Sequence, residues 1–262
     1  MKTNKRLILK TKKKLLVIIV LILCAGCSSP SGDEYYAIDH FCFKEEGKEF
    51  EEAFAKTTVD VYNWYKSIEG EDGVYILHSD HYTEDLLDSW RAHKIYDNVP
   101  EKGFWYFAVS ENYLRDRGYA LSEEDSEWIH SGGRLYLLPG SMPEEELEVM
   151  KEYLKEEALY GLTGDPMIRT VFELDPKIEY RIYSFDGTLE TEEDGEINDP
   201  VIFVCSSENM KFFESESLIA TGKRDSYIKL TKDAYERFIK NGFPEEFKER
   251  KITFLPLSKI KN

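Results

Sequence analysis

The chain has 262 residues, with 34 basic and 51 acidic side chains and a net charge of −17. Residues 1–26 hold seven basic and no acidic side chains, so the remainder carries 27 basic against 51 acidic, a net −24. A nucleic-acid binder needs a basic footprint, which sets that class aside; 42% hydrophobic and 14% aromatic content sets aside a disordered spacer.

The first 14 residues, MKTNKRLILKTKKK, are basic, and residues 15–26, LLVIIVLILCAG, are apolar or small. That order is the signature of an export signal. Twelve residues rise about 18 Å as a helix, short of the ~30 Å hydrocarbon core, so a permanent span is not expected. The small residues Ala25 and Gly26 before Cys27 resemble the bacterial lipobox, with Cys24 where that family usually has a branched aliphatic residue. The resemblance implies cleavage after residue 26 and a diacylglyceryl thioether on Cys27. Two acyl chains suffice to hold the protein to the extracytoplasmic face of a cell membrane. Residues 27–33 then read as a polar tether, and 34–262 as the extracytoplasmic region, with a candidate subdomain boundary near residue 100 (34–100 and 101–262).

Along that region, residues 48–67 show helical periodicity, with Phe50, Phe54, Val61, Trp64 and Tyr65 on the apolar side. Short runs rich in β-branched and aromatic residues predict strands. They lie at Val74–His78, Phe104–Val109, Arg134–Leu138, Ile168–Phe172, Lys177–Tyr183, Val201–Cys205, Tyr227–Leu230 and Lys251–Leu255. Thr83 is placed to cap a helix that buries Leu86, Leu87 and Trp90. Ser141 and Glu144 have the capping-box spacing, followed by a stripe of Leu147, Met150, Leu154 and Ala158 and a stop at Gly161. Thr231 opens a further helix, closed by Asn241-Gly242. The acidic stretch 185–200 reads as an exposed loop. Without a regular βαβ period, these elements predict an α+β fold: a largely antiparallel mixed sheet with about four to five flanking helices.

Residues able to do chemistry are sparse. There is no G-x-S-x-G elbow and no phosphate-binding glycine loop, so no catalytic set and no cofactor are expected. His78, Asp80 and His81, with Glu84, are the most ligand-like cluster, yet they lack H-E-x-x-H order. The expected reading has Asp80 and His81 in a turn and His78 packed at a strand end, with no metal bound. In the acidic stretch, setting Gly195 at the EF-hand glycine puts Val201 where a bidentate Glu must stand. Cys42 and Cys205 lie in apolar runs; they read as buried thiols, with a disulfide between them as the alternative outside the cell.

From residue 104 the features run as a strand into VSENYL, the strand and helix start RLYLLPGSMP, the strand KIEYRIYSFDG, and finally INDPVIFVCSSENM. This order resembles the extracellular domain of bacteriocin-associated integral membrane proteins, a branch of the FtsX-like ABC permeases. The resemblance implies a non-catalytic surface module that handles peptides or couples to a transporter. Here a lipobox stands where that family has its first transmembrane helix. The expected function is a lipid-anchored binding or accessory module of an export or antimicrobial-peptide immunity system. A cationic peptide or an ABC permease would be its partner. The alternatives are a solute-binding lipoprotein of an importer and, third, a surface hydrolase.

Overall fold

Successive side chains on a strand point to opposite faces, so an uninterrupted apolar strand must be covered on both. That condition organises this molecule, whose computed structural model describes residues 35–40, 46–160, 179–191, 195–211, 214–215, 217–219 and 226–260. The signal, the tether, Cys27, Cys42, Gly161 and the strand expected at 168–172 lie outside the described residues.

The strands are β1 (Tyr36–His40), β2 (Val74–Tyr82), β3 (Phe104–Val109), β4 (Arg134–Pro139), β5 (Tyr180–Phe185), β6 (Thr188–Glu190), β7 (Glu196–Asn198), β8 (Val201–Val204), β9 (Ile228–Leu230) and β10 (Thr253–Pro256). Eight of them form one sheet in the order β10-β1-β9-β2-β3-β8-β4-β5, and β6 pairs with β7 as a hairpin. Within the sheet β3–β8 and β4–β5 are parallel, while the other five neighbouring pairs are antiparallel. Seven α-helices occur among the described residues: α1 (Lys48–Ile68), α2 (Glu84–His93), α3 (Glu111–Asp116), α4 (Glu123–His130), α5 (Glu144–Tyr160), α6 (Lys232–Tyr235), which runs into a π-turn at Glu236–Lys240, and α7 (Glu245–Glu249). The fold is α+β with a largely antiparallel mixed sheet. β2 and β3, on either side of residue 100, pair over six residues from Leu77↔Val109 to Tyr82↔Phe104, so the sheet is continuous there.

Alternation divides the core in two. Val74 and Ile76 of β2, Tyr106 and Ala108 of β3, and Val201 and Phe203 of β8 face α1, α5, α6 and α7. Tyr75 and Leu77, Phe107 and Val109, and Ile202 and Val204 face α3, α4 and the β6–β7 hairpin. Trp64 of α1 anchors the first layer, edge-on to Phe243, Phe247 and Phe254 at ring separations of 5.7, 6.1 and 6.0 Å. One glycine is required by both backbone and space: Gly73 has φ +76°, and a Cβ there would stand 2.1 Å from the Thr231 hydroxyl.

A buried ion network ties the chain beyond β8 to the sheet. The Arg134 guanidinium donates to both Glu214 carboxylate oxygens (2.8 and 3.2 Å), to the Asn209 carbonyl (2.9 Å) and to the Tyr136 hydroxyl (3.0 Å). It also lies 3.9 Å from the centre of the Phe203 ring. Lys211, equally buried, donates to the Glu157 carboxylate at 2.6 Å and stands 3.9 Å from Glu214. Burial pushes the Glu214 carboxyl up, but Arg134 and Lys211 outweigh it and hold the group below the usual carboxylate range.

Several sequence expectations need correction. β2 runs on to Tyr82, so Asp80 and His81 lie on a strand and not in a turn. α5 starts at Glu144, and Ser141 does not cap it: the Ser141 hydroxyl donates to the Asp199 carboxylate at 3.4 Å. Stretch 185–200 is not a plain exposed loop, because it holds β6 and β7 and buries Leu189 to 1% exposure. β1, α3, α4 and α7 were not expected at all.

Candidate binding groove

Three connections meet at one end of the sheet, where β3 and β8 begin and β4 finishes. The first runs from α2 to β3. Lys94 ends α2 with φ +53°, and the Arg91 guanidinium donates to the Val99 and Pro100 carbonyls at 3.4 and 2.5 Å. Glu156 of α5 holds the same segment, accepting from the backbone amides of Asp97 (2.7 Å) and Asn98 (3.1 Å) and from the Asn98 side chain. Gly103 then passes so near β2 that a Cβ would stand 2.9 Å from the Tyr82 carbonyl.

The second connection is the β4–α5 turn, closed by the Met142 amide donating to the Pro139 carbonyl at 3.0 Å. The third joins β7 to β8 through Asp199, which sits at φ +50° just before Pro200. The Asp199 amide donates to the Gly187 carbonyl at 2.8 Å, which fixes a backbone region that non-glycine residues rarely occupy.

Between these segments lies a groove of about 760 Å³, within the usual size range of ligand sites. Met150 and Val201 form its buried base, with half-buried Phe104 and Trp105 from β3, Met142 from the β4–α5 turn and Ile197 from β7 along its sides. Val149 is exposed on its wall. Its charged lining residues are Glu101, Glu145, Glu146 and Asp199 against Lys102, a local net charge of −3. The Lys102 ammonium bonds the Glu146 carboxylate at 2.5 Å, joining the α2–β3 connection to α5. That hydrogen bond raises the Lys102 pKa above its ordinary value.

The sequence-predicted residues fall elsewhere. His78 bonds Asp80 through Nε2 at 2.7 Å and stacks on Tyr227 at 4.6 Å. His81 points to the other face, stacked on Trp105 at 4.9 Å, and so flanks the groove without lining it. Strand alternation thus separates the two imidazoles, and among the described residues no group of three His, Cys, Asp or Glu side chains could hold a metal ion. Cys205 is a buried free thiol, raised well above its ordinary pKa by burial first and by Glu214 second; Cys42, the other cysteine of the disulfide alternative, lies outside the described residues.

Sequence reasoning missed His130, which bonds the Glu111 carboxylate at 3.3 Å. The Ser126 hydroxyl donates to that same carboxylate oxygen at 2.9 Å. A serine nucleophile must pass its proton to a base, and here serine and imidazole converge on the carboxylate instead of on each other. The groove is not legible locally, since Trp105, Met142 and Ile197 fall in an expected strand, helix start and loop that lie far apart in sequence. The one local hint is exposed Glu101-Lys102 shortly before half-buried Phe104-Trp105.

No protein-family model matches the chain, and no curated protein or solved structure matches it. Among the described residues no helix is long and apolar enough to cross a membrane.

Proposed function

We propose that the protein is a lipid-anchored extracytoplasmic binding module, non-catalytic, that holds a basic peptide in the groove at the end of its sheet. The observation that carries this reading is the pairing of an apolar base with an acidic rim. Apolar side chains of a ligand gain by leaving water for Met150, Phe104 and Trp105, and its cations meet a local charge of −3. The −24 charge of the chain beyond residue 26 adds long-range attraction for such a ligand. The lipobox-like Cys24–Cys27 supports attachment through lipid on Cys27. The resemblance to bacteriocin-associated membrane proteins supports service to an ABC exporter or a peptide-immunity system.

A two-lobed importer receptor is less well supported, because the groove lies at the end of one continuous sheet and not between lobes. A hydrolase built on His78 or His81 is likewise less well supported, since neither lines the groove. The test is binding of an amphipathic basic peptide at low and at high ionic strength. Rim contacts are screened beyond a Debye length of about 10 Å at 0.1 M salt, so affinity falls as salt rises. No binding, or binding indifferent to salt, refutes the reading. The anchor is tested separately by the mass of the mature N-terminus, where an unmodified Cys27 on a cleaved chain refutes it.

A further inference from the structure

A cation already sits at the acidic rim, and it belongs to the protein. Lys102 of the α2–β3 connection and Glu146 of α5 both line the groove and bond at 2.5 Å with side chains 69% and 41% exposed. Other exposed pairs on α5, Lys151–Glu148 and Lys155–Glu152, are made within the helix at i,i+3 and lie away from the groove. Lys102 differs because its ammonium reaches Glu146 from a different segment of the chain, so the pair joins two parts of the groove lining at exposed side chains.

We propose that Lys102 is a built-in stand-in for the ligand's cation, and that a peptide lysine or arginine displaces it from Glu146 while an adjacent apolar side chain enters beside Phe104, Met142 and Met150. This rests on the groove being a peptide site, and it names which carboxylate reads the charge. Exchange is isoelectric at Glu146: one ammonium leaves the carboxylate for water as another arrives, so no bare buried charge forms at any stage. An exposed ion pair is weak enough to yield. The ligand must therefore bring both parts, because a cation alone only replaces a contact the protein already makes. Gly103 supports the assignment. The residue after Lys102 packs against the Tyr82 carbonyl, so the chain is fixed below the lysine and only the long side chain has to move.

The test uses the full chain, a synthetic peptide of alternating leucine and lysine, and oligolysine of equal charge. Lys102→Met removes the stand-in and is expected to tighten the leucine–lysine peptide roughly two- to fivefold at low salt, the range of an exposed pair. Lys151→Met removes the same charge from α5 outside the groove and is expected to leave affinity nearly unchanged. Glu146→Gln weakens binding and makes a further Lys102→Met change silent. Oligolysine binds about tenfold or more weakly than the leucine–lysine peptide, for want of an apolar side chain to bury. If the wild-type protein binds and Lys102→Met leaves affinity unchanged or lowers it, the stand-in is refuted while the groove remains a peptide site. Equal tightening by Lys151→Met also refutes it, by showing a general charge effect. If the wild-type protein binds neither peptide, the reading of the groove fails, and the role of Lys102 with it.

Discussion

Replacing Arg134 by methionine removes one charge from a site that is 1% exposed and keeps an apolar side chain of similar length over the Phe203 ring. The loss is then mainly electrostatic. Glu214, with a side chain 8% exposed, forfeits a bidentate partner at 2.8 and 3.2 Å and keeps the Lys211 ammonium at 3.9 Å and its backbone amide. The Tyr136 hydroxyl and the Asn209 carbonyl each lose a donor as well. Breaking a buried pair by deleting one partner destabilises by about 3–5 kcal/mol, because the remaining charge stays desolvated. For a region of this size the midpoint falls about 2–4 °C per kcal/mol, so a drop of roughly 6–20 °C is expected.

Urea unfolding followed by circular dichroism measures it, with an unchanged denaturant slope confirming that stability alone has moved. The double change Arg134→Met with Glu214→Leu removes the stranded charge, and it should be milder than the sum of the single changes by more than about 1 kcal/mol. The pH dependence carries the same signature. Glu214 has its folded pKa depressed, so its contribution is present above the unfolded value of about 4.3 and is lost as pH falls through the lower folded value. Glu214→Gln should flatten that acid limb. A loss below about 1 kcal/mol in Arg134→Met, or strictly additive single changes, would refute the account of this network.

Two further outcomes follow from the other polar contacts. The hydrogen bond that His130 donates to the Glu111 carboxylate holds the His130 pKa above its ordinary value. Its contribution is therefore complete below the unfolded value of about 6.5 and disappears as pH rises through the folded one; the proton NMR midpoint should lie above 6.5 and fall in Glu111→Gln, and an unmoved midpoint would contradict the contact. Asn209 is fully buried, donating to the Gly133 and Val204 carbonyls at 3.0 Å each and accepting from the Ser206 amide at 2.8 Å. Asn209→Ala leaves those groups unmet, so about 2–4 kcal/mol of destabilisation and faster exchange of the Ser206 amide are expected, and a change under about 1 kcal/mol would count against it.

How much of this was legible varies with the physical origin of each feature. β3 and β8 were placed almost residue for residue, because strands covered on both faces must be apolar throughout and Phe104–Val109 and Val201–Val204 are. α1 and α5 announce themselves through long apolar stripes, and Thr83 through a cap whose hydroxyl accepts from the Leu86 amide at 3.3 Å. β1 was overlooked because five residues reading YAIDH carry too little pattern; they become a strand only by pairing with β10 and β9. In stretch 185–200, charge and turn residues mask a hairpin whose buried Leu189 has meaning only against the core beneath it. His78, Asp80 and His81 look like one cluster because they are neighbours in sequence, but strand alternation keeps His78 with Asp80 and turns His81 to the other face.

The sequence by itself determines the α+β class, through local periodicities of two and 3.6 residues, and the net negative charge of the chain. It also carries the lipobox-like stretch at Cys27, a pattern that is local by nature. Tertiary structure alone decides where a ligand could sit. Lys102, Glu146 and Asp199 share one rim although they belong to the α2–β3 connection, the first turn of α5 and the β7–β8 connection, far apart along the chain. No local pattern encodes that meeting, because it is set by strand order: β8 is inserted between β3 and β4, which brings the start of one strand beside the finish of another.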